Sequence, residues 1–169
     1  MPIEISPLRL DEADAVAALA RAVWNAHYPD IIGQAQIDYM LAQRYKPGLI
    51  RQLLARGDLW LAARADGELV GFAHGHPLQE GDYKLDKLYV ATGWQRHGIG
   101  GELIREIGER ARRHGHARLL LRVNRQNKPA IEAYLKHGFK VATIVVEDIG
   151  EGFVMDDYVM IKELESPQP

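Results

Sequence analysis

Leu88-Tyr89-Val90-Ala91-Thr92-Gly93-Trp94-Gln95-Arg96-His97-Gly98-Ile99-Gly100-Gly101 is the stretch on which the fold turns. A strand-like run ends at Val90, a short loop follows, and glycines open a segment of helical periodicity over about residues 98–114. Ile99, Leu103, Ile107 and Ala111 fall on one side of that helix; Glu102, Arg105, Glu106, Glu109, Arg112 and Arg113 fall on the wet side. The first amides of a helix lack intrahelical partners and lie at the positive end of its dipole, so a helix start behind a loop is a ready anion site. Glycines let the backbone approach a phosphate without a Cβ in the way, and Arg96 adds positive charge. A P-loop needs Lys-Ser/Thr after its second glycine; Gly93 and Gly98 have the glycine spacing, but Ile99-Gly100 follows. A Rossmann fingerprint needs a third small residue three places after Gly100, where Leu103 stands. Spacing alone leaves two readings: a phosphate ligand of another kind, or a tight strand-to-helix turn with no ligand.

Working outward, residues 83–90 read as a strand. Residues 59–64 and 68–76 flank Asp66-Gly67, a pair that tolerates the positive φ angles of a tight hairpin. Ahead of them, Ile50, Leu53 and Leu54 mark a short helix after Pro47, ended by Gly57, and Ile37, Met40, Leu41 and Tyr45 mark another helical stripe. Val16, Leu19, Ala20 and Val23 mark the first helix, with Asp11 or Asp14 as its cap, and residues 24–32 read as a loop. Ile3, Ile5 and Leu8 predict a first strand ending near Pro7. Downstream, Gly115 is a left-handed stop and residues 119–123 a dense strand. Asn127 caps the next helix, Pro129 fits its first turn, Ile131, Tyr134 and Leu135 form its stripe, and Gly138 ends it. Phe139 starts a strand to about Val146, residues 147–152 read as a polar acidic turn, residues 155–164 as the last strand, and residues 166–169 as a frayed tail. The predicted order is β-α-α-β-β-β-α-β-α-β-β. This is one α/β domain over residues 1–165, with a mixed, mostly antiparallel sheet of about seven strands and about four helices.

At 169 residues, with 47% hydrophobic and 26% charged, one ordinary globular domain is expected. No apolar run approaches the roughly 18 residues of a membrane span, and Met1-Pro2-Ile3-Glu4-Ile5 lacks the basic start and apolar stretch of a signal peptide, so a cytoplasmic location and no membrane partner are expected. The absence of cysteine excludes disulfides, cysteine zinc sites and an acyl-cysteine intermediate. A net charge of −2 and a pI of about 6.4 give no basic footprint for nucleic acid.

Gln95-Arg96-His97-Gly98-Ile99-Gly100 resembles the Gln/Arg-x-x-Gly-x-Gly/Ala signature of the GCN5-related N-acetyltransferases (GNAT). Leu88-Tyr89-Val90 is similar to the strand whose backbone, in that family, hydrogen-bonds the pantetheine arm of coenzyme A. Asn124-Arg125-Gln126-Asn127-Lys128-Pro129-Ala130-Ile131-Glu132-Ala133-Tyr134-Leu135-Lys136-His137-Gly138-Phe139 resembles the family's later motif, which runs Asn, then Asn and Ala, then Tyr, then Gly-Phe. The resemblance implies the GNAT fold and direct transfer of acetyl from acetyl-coenzyme A to a primary amine, with no metal. It implies that Leu88, Tyr89 and Val90 bind the cofactor arm and that Gln95, Arg96, His97, Gly98, Ile99, Gly100 and Gly101 hold the pyrophosphate. By the same resemblance, Asn127 contacts the cofactor, Tyr134 sits near the sulfur, and the backbone N–H near Val90 polarises the thioester carbonyl.

The chemistry gives Tyr134 a task. Attack by an amine expels a thiolate; a thiol has a pKa of about 8.5 and a phenol about 10, so a tyrosine can hand over its proton without a steep penalty. The alternative is that Tyr134 packs at i+3 from Ile131. A base must deprotonate the amine, and in the family a Glu or His often lies two or four places before the Leu-x-Val segment. Those places hold Asp86 and Lys84, so Asp86 is the candidate base and an exposed Asp–Lys pair is the alternative. His74 and His76 share a strand face but lack a third metal ligand nearby and read as polar residues at a strand end. His114 and His116 flank the Gly115 stop, where the dipole favours cations. His97 lies inside the glycine loop.

In this family the acceptor pocket is shaped by segments corresponding to residues 24–32 and 147–152. Tyr28, Tyr39, Glu147 and Asp148 are the expected acceptor contacts, with His27 nearby and Glu151, Asp156 and Asp157 adding to the acidic stretch. Acidic and aromatic walls suit a cation such as a polyamine; a solvated turn is the alternative. Leu85-Asp86-Lys87-Leu88-Tyr89-Val90, Tyr28 and Met155-Asp156-Asp157-Tyr158-Val159-Met160 resemble bacterial spermidine/spermine acetyltransferases of the PaiA type. A protein N-terminal or lysine acetyltransferase is the alternative enzyme, and a non-catalytic acyl-coenzyme A sensor the alternative class. Besides acetyl-coenzyme A and an amine, a second copy of the chain is an expected partner.

Overall fold

In the structure, a computed structural model that describes residues 2–165, Asp66 and Gly67 both take positive φ, 49° and 82°. A two-residue hairpin needs that backbone. The turn joins β2 (Leu59–Ala65) to β3 (Glu68–Pro77) in antiparallel register, from Leu59 opposite Gly75 to Ala65 opposite Glu68. β1 (Ile3–Pro7) pairs antiparallel with β2. β4 (Asp82–Val90) and β5 (Arg118–Asn124) run parallel, but their register covers only Asp82–Lys84 of β4 opposite Arg118–Leu120 of β5. β6 (Lys140–Gly150) and β7 (Phe153–Glu163) form a long antiparallel hairpin, and β7 pairs with β5. The result is a seven-stranded mixed sheet in the order β1-β2-β3-β4-β5-β7-β6. The tail expected at residues 166–169 lies outside the described residues.

The described residues hold six helices: α1 (Ala13–His27), α2 (Pro29–Ile32), α3 (Gln34–Arg44), α4 (Pro47–Ala55), α5 (Ile99–Arg113) and α6 (Lys128–Lys136). Four of them precede β2, where three helical stripes were read and the predicted order counted two, and residues 24–32 are not a loop. Trp24 is buried against the rings of Tyr28 and Tyr45, so packing carries α1 on to His27. Pro29 then opens α2 at a first-turn position, where its missing N–H costs nothing. Neither Asp11 nor Asp14 caps α1. Leu10–Glu12 form a 3₁₀ turn, Glu12 takes the cap position, and Asp14 lies in the first turn, where it complements the dipole.

Two further readings shift. The acidic turn contracts to Glu151-Gly152, both at positive φ, because Glu147 and Asp148 are held in the β6–β7 ladder opposite Met155 and Val154. On α5, Glu109 and Arg112 are half-buried rather than wet, since Arg112 folds back onto Glu109 with hydrogen bonds of 3.1 and 2.6 Å.

The chain divides into two compact units. The first runs to Gly75 and resumes from Lys87 to Ile107; its core holds Val16, Ile37, Ile50, Leu61, Phe72 and Leu103, all fully buried. Burying each such side chain stabilises the fold by about 1.5–3 kcal/mol. Within this unit Arg64 of β2 is buried against Glu12, and it also reaches Ser6 and the Pro7 carbonyl. Burial pushes the Glu12 carboxyl up, but hydrogen bonds from Arg64 and from the Arg9 amide outweigh it and hold the group below its ordinary value. The second unit, residues 76–86 and 108 onward, packs around Tyr83, Leu119, Leu121, Phe139 and Met160.

Candidate active site

The first unit carries the glycine loop. Past Val90, the Ala91 amide donates to the Val70 carbonyl at 2.8 Å, and Trp94 N closes a 3₁₀ turn onto Ala91 O at 2.8 Å. The Gln95 side chain donates to the Val90 carbonyl at 3.2 Å and lies 3.2 Å from His27 Nε2, so it ties the loop to the strand it leaves. His97 Nδ1 lies 3.1 and 2.9 Å from the Trp94 and Gln95 carbonyls, which fixes the proton on that nitrogen and engages the ring in closing the loop. Arg96 (φ 67°) and Gly98 (φ 79°) are both left-handed. For a non-glycine residue that costs on the order of 1–2 kcal/mol, and such strain gathers at ligand sites.

Those two residues aim the chain into α5. The first helical bond runs from Glu102 N to Gly98 O at 3.1 Å, which leaves the amides of Ile99, Gly100 and Gly101 as first-turn donors without an intrahelical acceptor. There is room in front of them. A Cβ built on Gly98 meets nothing within 4 Å, and one on Gly100 meets Val90 Cγ2 at 3.9 Å. A pyrophosphate fits this combination of unpaired amides, space and the exposed Arg96 guanidinium.

Sequence reading missed Gly71 on β3. A Cβ there would stand 3.1 Å from the Tyr89 carbonyl and 3.4 Å from Ile99 Cγ2, so this glycine admits the close approach of strand end and helix start. A lone glycine inside the apolar run Leu69-Val70-Gly71-Phe72 was the available signal. The Tyr89 ring turns into the unit's core, 6.2 Å from Trp24, 6.1 Å from Tyr45 and 5.8 Å from Phe72. Tyr28 packs on Trp24 at 4.8 Å, and the Tyr39 hydroxyl accepts from Gln43 at 2.8 Å.

His74 is not a polar strand end. It is fully buried, stacked on Trp60 at 4.2 Å, with Nε2 2.7 Å from Asp58 and Nδ1 3.5 Å from Lys87 Nζ. An Nε2–H tautomer donates to Asp58 and leaves Nδ1 to accept from the Lys87 ammonium. Burial pushes the Asp58 carboxyl up, while Arg56 and His74 hold it net below its ordinary value. Lys87 is buried with its charge 5.5 Å from the Tyr45 ring.

The second unit carries the remaining expected groups. Asp86 lies 3.2 Å from His76 Nε2 and 3.8 Å from Lys84 Nζ, so the expected Asp–Lys pair is a His–Asp–Lys group on adjoining strands. Asn127 caps α6, accepting from Ala130 N at a long 3.4 Å. Tyr134 is half-buried and meets Phe139 edge-on at 5.7 Å, while Leu135 of the expected apolar stripe is half exposed. The acidic stretch is interleaved with arginine. Arg122 bonds Glu147 at 2.6 Å and the buried Asp157 at 3.2 Å, and Arg125 pairs with Asp156 at 2.9 Å. Asp148 accepts from the Gly150 amide at 2.8 Å. Among the described residues no cluster of three or more His, Cys, Asp or Glu could hold a metal, and no helix is long and apolar enough to cross a membrane.

An α/β sheet of this order, with a left-handed loop feeding a glycine-opened helix, defines a scaffold that offers an anion site at a helix start. Residues 17–139 match the acetyltransferase (GNAT) family, and the chain belongs to that family of acetyl-coenzyme A-dependent N-acetyltransferases. It is 28% identical over 162 residues to a spermidine N(1)-acetyltransferase of Thermoplasma acidophilum, covering 92% of this chain and 97% of that protein. It is 29% identical over 156 residues to an uncharacterized N-acetyltransferase of Mycobacterium tuberculosis, covering 92% and 99%. The crystal structure of a PaiA N-acetyltransferase from T. acidophilum in complex with coenzyme A matches it with a TM-score of 0.84 at 27% identity, covering 96% of this chain and 99% of that one.

Proposed function

We propose that this GNAT enzyme acetylates a small cationic amine of the polyamine class, with the α5 start holding the pyrophosphate and Tyr134 serving as general acid. The observation that carries the cofactor part is the set of unpaired amides at Ile99, Gly100 and Gly101, aimed by left-handed Arg96 and Gly98. Acetyl-coenzyme A supplies, when bound, an activated thioester carbonyl. The chain's own residues do the rest. The loop amides and Arg96 fix the phosphates, the backbone of Leu88, Tyr89 and Val90 orients the arm, and the Val90 amide polarises the carbonyl. The Tyr134 hydroxyl gives its proton to the departing sulfur. Asp86, paired with His76, takes the proton released by the amine.

The acceptor class rests on likeness to a spermidine acetyltransferase, and the rings of Tyr28 and Tyr39 are the residues proposed to meet its cation. Glu147 has Arg122 as its counter-ion at 2.6 Å, which weakens its pull on a cationic acceptor. A second copy of the chain is a further proposed partner. Thiol release measured over spermidine, free amino acids and lysine- or N-terminal peptides tests the reading, and spermidine is expected to react fastest. A peptide as best substrate would make this a protein acetyltransferase. Calorimetric binding of acetyl-coenzyme A with no thiol release on any amine would make it a sensor.

A further inference from the structure

Three buried polar groups of the first unit have no part in the proton steps proposed above. The Asp58 carboxylate, the His74 imidazole and the Lys87 ammonium form a chain, with Asp58 Oδ2 2.7 Å from His74 Nε2 and His74 Nδ1 3.5 Å from Lys87 Nζ. Side-chain exposure is 6% for Asp58 and 1% for His74, and Lys87 is 8% exposed. At the outer end Arg56 makes a bidentate pair with Asp58, at 2.9 and 2.5 Å. At the inner end the ammonium stands 5.5 Å from the Tyr45 ring and 6.0 Å from the Trp60 ring. An apolar side chain at position 87 would pack on the same two rings without a charge to bury. Burial alone therefore does not account for an ammonium there.

What the ammonium adds is direction. It donates to Nδ1 only while that nitrogen is unprotonated. Lys87 and Tyr89 share a face of β4, because side chains alternate along a strand, and both reach Tyr45; the Tyr89 ring lies 6.1 Å from it. Two side chains on one face thus fix the strand on either side of Leu88. We propose that Lys87 is a positioning residue for the cofactor arm, held in place by the Asp58–His74 pair, and that a proton on His74 Nδ1 releases it. This rests on the reading that the backbone of Leu88, Tyr89 and Val90 orients the arm. The charged groups facing the ring are Asp58, with Arg56 behind it, from the turn before β2, and Lys87 from β4; Trp60 of β2 stacks on it, and Tyr45 at the end of α3 lies beyond the ammonium. With both ring nitrogens protonated, His74 keeps its bond to Asp58 and turns a second cation toward Lys87. Lys87, whose acceptor has lost its lone pair, is the group that moves, and the strand at Leu88 loosens with it.

Calorimetric affinity of the full chain for acetyl-coenzyme A, between about pH 8 and about pH 5.5, tests the proposal across the ordinary histidine range. The wild type is expected to lose about tenfold more affinity over that range than His74→Gln, whose amide offers Lys87 an acceptor and does not titrate. His27, His97 and the ligand's phosphates titrate in both proteins, so the difference reports His74. Lys87→Met is expected to bind about tenfold more weakly than wild type at the alkaline end and to share the flattened profile of His74→Gln. A merely structural Lys87 would lower stability and leave the pH slope as it is. In the wild type itself, nuclear magnetic resonance follows the His74 ring and the amides of Leu88, Tyr89 and Val90, and all are expected to titrate with one midpoint. That measurement stands whether or not the variants fold. Parallel pH profiles in wild type and His74→Gln, a ring that takes no proton over this range, or amides that stay still while the ring titrates would each overturn the proposal and leave the cofactor site standing. A wild type that binds no acetyl-coenzyme A at any pH would overturn the cofactor reading and this proposal with it.

Discussion

Tyr134 meets Phe139 edge-on, so Tyr134→Phe keeps that ring contact and removes only the hydroxyl. If the hydroxyl protonates the departing sulfur, turnover falls by roughly 10²-fold with little change in acetyl-coenzyme A affinity. Steady-state rates within a factor of two of wild type would move the role elsewhere. The Glu12–Arg64 pair makes a second test at single residues, on stability. Both side chains are more than nine-tenths buried. Arg64→Met leaves the Glu12 carboxylate buried and unpaired and should cost about 3–5 kcal/mol in urea denaturation at neutral pH. The sign with pH follows from the lowered Glu12 pKa. The pair's contribution is fully present above the ordinary value of 4.5 and is lost as pH falls through the folded value. The gap between wild type and Arg64→Met should therefore narrow below about pH 4.5. A gap that stays constant into acid would show that Arg64 acts through its other contacts, to Ser6 and Pro7.

At the scale of the element, the loop and first turn of α5 separate backbone strain from ligand contact. Gly98 needs a positive φ, so Gly98→Val strains the loop as well as crowding any ligand. Gly100 needs no such angle, and its Cβ would touch Val90 Cγ2 at an ordinary 3.9 Å. Gly100→Val is then expected to keep near-wild-type stability and yet bind acetyl-coenzyme A roughly tenfold more weakly, about one charge-assisted hydrogen bond. Calorimetry decides it; wild-type affinity in folded Gly100→Val would mean that no phosphate approaches this turn.

At the scale of the whole molecule, a cosubstrate that binds the folded chain must stabilise it. Acetyl-coenzyme A at about 100 times its Kd adds about 2.7 kcal/mol, which for a chain of this length raises Tm by roughly 5–10 °C. A scan that shows no shift, with Gly100→Val and wild type alike, would argue against the pyrophosphate site itself.

What the sequence by itself determined are features whose causes act over a few residues. Asp66-Gly67 made the β2–β3 turn because its own backbone tolerates positive φ, and the α5 start was readable because glycines, a strand end and a 3.6-residue apolar period are adjacent in the chain. The family motifs around Gly98 and Tyr134 were legible for the same reason. What only the tertiary structure decided involves partners far apart in sequence. Trp24 extends α1 because Tyr45 packs on it, Glu12 finds Arg64 at a separation of 52 residues, His74 finds Asp58 at 16, and Glu147 finds Arg122 at 25. No local propensity encodes those meetings. Burial makes an unpaired charge costly, so the buried carboxylates of Glu12 and Asp157 meet Arg64 and Arg122, and of the acidic run Glu147 and Asp156 are also arginine-paired at the surface.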